Sequence, residues 1–352
     1  MSLTTVDSGL ISSGAITLTT QVTGTLPEAN GGTGTTVGYC GFKNRIINGG
    51  MSIWQRGTSF TVGASSYTYT ADRFKTFSAN TATTVSRNTS VPAGFQYSLQ
   101  LQRPAANTGT SSLSSVQMIE SSNCFDLAGQ SITLSFWAKA GANYSGGNLT
   151  VQALSGTVAD QGGDPYSWTG LSAFINTTQA ITTTWTRYSF TATVSASALE
   201  MASAIAFTPT GTAGADDSLY ITGVQLERGS TATSFDYRPY GTELALCQRY
   251  CFKYTVASSY GPYFMAHGIN TTAGRGLLKF PQTMRSSPSL TFPAASQFLW
   301  SFGNALSVIA LAEQGYDQSS IDFTSTGLAA NGGYMITSNA NTTSYILASA
   351  EL

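Results

Sequence analysis

Two aromatic residues and two carboxylates lie close together in the polar stretch 155–170, SGTVADQGGDPYSWTG: Tyr166 and Trp168, with Asp160 and Asp164 beside them. An aromatic ring on a loop can stack on the apolar C–H face of a pyranose. Two carboxylates about 5–10 Å apart are the machinery of glycoside hydrolysis. This is the one acid–aromatic cluster in the chain; the other acidic residues are mostly isolated. A binding role for Tyr166 and Trp168 is therefore expected, and catalysis is not. His267 is the only histidine, and no serine sits in a G-x-S-x-G elbow. The four cysteines, Cys40, Cys124, Cys247 and Cys251, read as small buried hydrophobes in a reducing compartment. Cys247-x-x-x-Cys251 is not CxxC, and zinc would need two further ligands. The glycines of Asn30-Gly31-Gly32-Thr33-Gly34 lack the GK[ST] ending of a phosphate loop. Trp54, Trp137 and Trp185 sit within strand-like runs and are expected in a core.

Composition narrows the class. The chain has 352 residues, 41% hydrophobic and only 9% charged, with a net charge of −1. A charged fraction of about 25% is usual, so Ser, Thr, Asn, Gln and Gly must carry the polar surface. A surface with so few charges suits commitment to an oligomer. No basic face exists for nucleic acid, and no apolar run approaches the length of a membrane helix. MSLTTVDSGLISSG lacks the basic and apolar regions of a signal peptide, so synthesis in a cytoplasm without export by that route is expected.

The elements that must position these residues read as strands. Residues 1–37 offer short Ser/Thr/Gly-rich strands with too few large side chains to bury a core alone. Residues 82–87, 95–102, 131–140, 184–191, 203–207 and 219–226 follow as strands, and 116–120 as a turn or short helical piece. In 131–140, Ile132, Leu134 and Phe136 point one way and Thr133, Ser135 and Trp137 the other. Gly223 breaks the alternation of Leu219, Ile221, Val224 and Leu226 as a bulge would. Residues 243–250 are the best helical candidate, with Leu244, Cys247 and Cys251 on one face; those three could meet a threefold axis or a core within one chain. Strands then resume at 263–267, 275–280, 290–292, 296–302, 319–323, 334–337 and 344–348, with Pro281 and Pro288 bracketing a connection. The predicted fold is all-β. Two β-sandwich, jelly-roll-like domains are joined by a short helix, with a small N-terminal β attachment segment. The divisions are 1–40, 41–240 and 241–352.

Several stretches resemble bacteriophage tail-fibre and receptor-binding proteins: LPEANGGTGTT, NRIINGGMSIWQRGTSF with Ala71-Asp72-Arg73-Phe74, and GVQLERGSTATSFDYRPYGTELALCQRYC. SITLSFWAKA and TWTRYSFT resemble strands of carbohydrate-binding jelly rolls, and MRSSPSL a passage in terminal fibre domains. The matches are scattered over about residues 23–254. The resemblance implies a virion tail fibre, made in the host cytoplasm, that attaches to the host surface by multivalent glycan binding. It implies a homotrimer joined to other tail or baseplate proteins through its N-terminal segment. Distal contacts would fall to Tyr260, Tyr263, Trp300 and Tyr334. No cofactor is expected, apart from a structural calcium of the kind such jelly rolls hold, for which Asp216 and Asp217 are the candidates. A stem, collar or baseplate component without receptor contact stays open, as does a polysaccharide-degrading tail protein. The long repeats of a β-helical depolymerase are not visible.

Overall fold

The computed structural model describes residues 42–79, 83–300 and 303–352. The expected attachment segment 1–40, with Cys40, lies outside the described residues, as do the start of the strand expected at 82–87 and the end of that expected at 296–302. The first sandwich comprises β1 (Ser59–Val62), β2 (Ser66–Tyr69), β3 (Lys75–Ser78), β4 (Thr83–Asn88), β5 (Ser98–Gln102), β6 (Leu113–Ile119), β7 (Ser131–Ala140), β8 (Leu149–Gly156), β9 (Ser172–Gln179), β10 (Thr186–Thr193), β11 (Glu200–Phe207) and β12 (Ser218–Arg228). Its front sheet has the order β1-β4-β5-β12-β7-β10 and its back sheet β2-β3-β6-β11-β8-β9. Every pairing within them is antiparallel.

Alternation explains the core. Ile132, Leu134, Phe136 and Ala138 of β7 meet Leu113 and Ile119 of β6, Met201, Ile205 and Phe207 of β11, and Leu149 and Val151 of β8. The expected bulge is present: the register of β12 on β7 shifts between Thr222 and Gln225. Gly223 has φ +62°, and a Cβ there would come within 2.6 Å of the Phe95 ring, so conformation and space both require glycine.

Residues 116–120 are a correction. They belong mostly to strand β6, and the 3-10 turn follows at Ser121–Asn123. All seven residues of β6 are buried, because both faces of this strand are covered. Val116 and Met118 lie under Trp168 and Leu352 on the outer side, which erases the apolar–polar alternation that marks a half-buried strand.

A single α-helix among the described residues, α1 (Tyr240–Gln248), leads into the second sandwich. There β13 (Cys251–Thr255), β14 (Pro262–Gly268), β15 (Ala273–Lys279), β16 (Ser289–Thr291), β17 (Phe298–Trp300), β18 (Val308–Glu313), β19 (Gln318–Thr324), β20 (Gly333–Ser338) and β21 (Tyr345–Ser349) form two sheets, β13-β21-β16 and β17-β20-β14-β15-β19-β18. The helix starts earlier than expected and ends before Cys251, which is the first residue of β13. Leu244, Cys247 and Cys251 therefore do not form one helical face. Cys247 packs with Ile47, Ile53 and Tyr250, with Leu244 against that cluster. Both cysteines are fully buried within one chain, which removes them from any threefold axis.

The joint is tied by charge as well as by packing. Glu351 receives Arg73 and also Arg56 at 3.2 Å. The Arg73 guanidinium lies 3.6 Å from the centroid of the Tyr250 ring and donates to the Met118 carbonyl at 2.7 Å. Arg249 pairs with Glu120 at 3.1 Å. Gln55 bridges the buried Asp72 carboxylate to the Cys251 carbonyl, and burial pushes the Asp72 carboxyl up to about 6.

Candidate functional site

The stretch 155–170 folds back over the outer side of the back sheet. Asp164 caps the short 3-10 turn Pro165–Ser167, accepting from the Tyr166 N–H. Asp160 accepts from the Ser121 N–H at 2.7 Å. Both carboxylates thus serve backbone donors. Tyr166 is 42% exposed, and its hydroxyl donates to Gln152 Oε1 on β8. Trp168 is a correction: it is only 5% exposed and sits in the apolar cluster with Leu352. Its Nε1 donates to the Gln161 carbonyl at 3.1 Å. Gln161 is in turn held by Glu200, which accepts from its N–H and its side-chain amide; burial raises the Glu200 carboxyl to about 7.

Asp216 and Asp217 point to different partners. Asp217 is fully buried against the equally buried Arg103, with Nε to Oδ2 at 3.1 Å, and accepts from the Ser145 N–H and hydroxyl. Asp216 accepts from the Ala142 N–H and the Tyr220 hydroxyl. Among the described residues no three of His, Cys, Asp and Glu gather as metal ligands.

The four aromatics expected at the distal end are not one surface. Tyr263 is buried, its hydroxyl 2.9 Å from Ser344 Oγ. Tyr334 is buried too, and the Ala329 N–H donates to its hydroxyl. Trp300 meets Tyr334 edge-to-face at 4.9 Å and donates to Ser325 Oγ. Tyr263 and Tyr334 are thus core residues, because β14 and β20 are central strands whose inward positions they occupy. Tyr260 alone is exposed, on the turn before β14. His267 is an exposed residue of β14.

The outer side of the front sheet carries a denser constellation. One half is roofed by residues 229–234: Thr133 donates to the Gly229 carbonyl, Gln225 to the Ser234 carbonyl, and Glu227 accepts from the Thr233 N–H and hydroxyl. The other half holds an amide–hydroxyl ladder that is buried except at Asn88. Asn88 donates to Gln100 Oε1 at 2.9 Å, and Gln100 Nε2 lies 3.0 Å from both Ser218 Oγ and the Tyr220 hydroxyl. The Tyr220 hydroxyl donates to Asp216 at 3.1 Å. Burial, and then the Asp216 carboxylate, raise the pKa of that hydroxyl above its ordinary value.

Beside this ladder stands Trp185, edge-to-face with Tyr220 at 6.4 Å. The Lys139 ammonium lies 4.6 Å from the Tyr220 ring centroid and 5.7 Å from that of Trp185. The Trp185 Nε1–H has no hydrogen-bond partner among the described residues. Trp137 shares this outer side, next to Thr222 and Arg187. Of the three tryptophans expected in a core, only Trp54 belongs to it. The alternation of 131–140 was the signal: it opposes Trp137 to the core residues, and cross-strand pairing brings Lys139 beside Tyr220. A ring face flanked by amide and hydroxyl groups, with one cation, suits a ligand that is apolar on its faces and rich in hydroxyls at its edge.

Neither a family model nor a curated protein matches the chain. Solved structures do. The enzymatically active domain of bacteriophage CBA120 tailspike protein 4 is similar over 53% of this chain and 21% of its own, at 16% identity and a TM-score of 0.32. The chain therefore spans about a fifth of that tailspike domain. TmCBM61 in complex with β-1,4-galactotriose is similar over 53% of this chain and 99% of its own, at 13% identity and a TM-score of 0.30. The CBM22-1 xylan-binding domain from Paenibacillus barcinonensis Xyn10C gives 49% and 99%, at 11% identity and a TM-score of 0.31. At such scores these are partial likenesses.

Proposed function

We propose that this chain is a non-catalytic carbohydrate-binding protein of a phage tail fibre, acting in adhesion to a host surface glycan. The observation that carries the binding reading is the outer side of the front sheet: Trp185 and Tyr220 under Lys139, beside the Asn88–Gln100 ladder. Trp185, half-buried, supplies the stacking face. The half-buried Asn88 would orient the ring edge, with the buried Gln100 holding Asn88 in place. The tail-fibre role follows from the residues that resemble such fibres.

A homotrimer fits this role, since three weak sites on one particle raise avidity without a strong single site. Exposed Met265, Leu277 and Val308, on the outer side of the second sandwich's larger sheet, offer an apolar surface for contact between copies. Light scattering of the full chain is expected to give three times the 36.9 kDa chain mass; a particle of one chain mass refutes the trimer.

The binding reading is tested on a glycan array with the full chain. Wild type should mark a discrete set of glycans, and Trp185→Ala should lose at least about tenfold in signal, since removing a stacked aromatic gives up roughly 1.5 kcal/mol or more. An unmarked array for wild type favours a purely structural fibre component. Shortening of a bound polysaccharide during incubation would contradict the non-catalytic reading.

A further inference from the structure

A cavity of about 230 Å³ opens where the turn at Gly94 meets residues 235–238 and the first turn of α1. Its wall is an aromatic trio. Phe95 and Phe235 meet edge-on at 5.0 Å, and Phe235 and Tyr237 at 4.8 Å. The Tyr237 hydroxyl donates to the Gly94 carbonyl at 2.9 Å. Gly94 has φ +90°, and a Cβ there would come within 2.8 Å of that hydroxyl. The turn and the tyrosine are therefore built for each other. Tyr240, 65% exposed, forms a further wall, and Tyr237 is itself 58% exposed. Aromatic side chains left this open contribute little to the core of either sandwich.

The charges in the lining cancel. Arg238 donates to both Glu243 oxygens, at 3.1 and 3.3 Å, and to the Ile46 carbonyl, while Glu243 also receives the Asn48 N–H. An anion or cation would have to compete with that pair. Ser52 and the exposed Gln96 amide complete the rim with uncharged donors and acceptors. The volume lies below the ~300–1,000 Å³ of pockets that enclose drug-sized ligands. It suits one ring rather than a chain.

From size, aromatic walls and internally neutralised charge, we infer that this cavity binds a single uncharged pyranose, as a site separate from the front-sheet ladder. Its floor comes from the first sandwich and one wall from the helix that leads to the second, so an occupied site would sit at the joint. The inference stands on the cavity's own residues and does not require the front-sheet site to bind.

The test is saturation-transfer NMR on the full chain. The probes are methyl β-glucopyranoside, methyl β-galactopyranoside, methyl α-mannopyranoside and N-acetylglucosamine at millimolar concentration. At least one should receive saturation from the protein. All samples carry Trp185→Ala, which removes any front-sheet contribution; on that background Tyr240→Ala should weaken the binding about tenfold and Gln96→Ala should weaken it less. Both cavity positions are exposed, and circular dichroism of the variants should match wild type. No transfer to any of the four probes overturns the inference. So does binding that survives Tyr240→Ala in the Trp185→Ala background.

Discussion

Replacing Arg103 by Met is expected to destabilise the first sandwich by about 3–5 kcal/mol, the range for removing one member of a buried ion pair. Arg103 and Asp217 are both fully buried. The Nε approach to Asp217 is not aligned as a hydrogen bond, so the contact is mainly ionic. The two Nη groups are employed instead: they donate to the carbonyls of Asn107, Gly109 and Gly211 at 2.8, 2.8 and 2.9 Å. One side chain thereby fastens two loops at the same end of the sandwich and neutralises a buried carboxylate. Methionine would fill much of the space and leave both tasks undone. Urea denaturation of wild type, Arg103→Met, Asp217→Asn and the double variant gives the coupling directly. The double variant should lose less than the sum of the singles, because the unpaired carboxylate has gone with its partner. A loss below about 1 kcal/mol for Arg103→Met, the scale of an exposed pair, would contradict this account of the loop end.

The second large effect is expected at the joint. Arg73→Met should cost roughly 1.5–3 kcal/mol, the scale of a hydrogen bond to a charged group, and should also split the unfolding of the chain into two transitions. Arg73 is buried and serves residues on both sides of the joint. It pairs with Glu351, lies over the Tyr250 ring and donates to the Met118 carbonyl. Glu351 keeps Arg56 when Arg73 is gone, so the carboxylate is not orphaned, but the link to β6 and the stacking on Tyr250 are lost. Differential scanning calorimetry distinguishes the outcomes. Wild type should unfold with strongly coupled transitions, and the variant with a first transition at lower temperature and a second near the original. One unshifted transition in the variant would show that the sandwiches are held by α1 packing alone.

Much of the fold was legible, and the losses have physical causes. The all-β class, two sandwiches, the bulge at Gly223 and a helix between the sandwiches could be read from alternation, turn residues and one stretch of helical spacing. Residues 113–119 could not, because a strand covered on both sides has no alternation to show. Leu244, Cys247 and Cys251 fit a helical face by spacing, yet the chain leaves the helix after Gln248 and carries Cys251 into β13. Binding residues were harder. An aromatic in a polar loop reads as exposed, and Tyr166 is, but Trp168 two residues on turns inward to cover Val116 and Met118. Tyr263 and Tyr334 have hydroxyls that satisfy internal partners, which a sequence does not reveal. Trp185 reads as core from the sequence because it sits within a strand-like run. Its neighbours Tyr220 and Lys139 come from β12 and β7, 35 and 46 positions away in the chain, and only cross-strand register assembles them.

The central claim is that the outer side of the front sheet binds sugar through Trp185. Isothermal titration calorimetry of the full chain with the strongest oligosaccharide from the array tests it most directly, run on wild type, Trp185→Ala and Tyr166→Ala. Saturable heat is predicted for wild type and for Tyr166→Ala with closely similar affinities, and at least about a tenfold loss for Trp185→Ala. Unchanged affinity in Trp185→Ala would contradict the account, and a loss confined to Tyr166→Ala would move the binding surface to the back sheet.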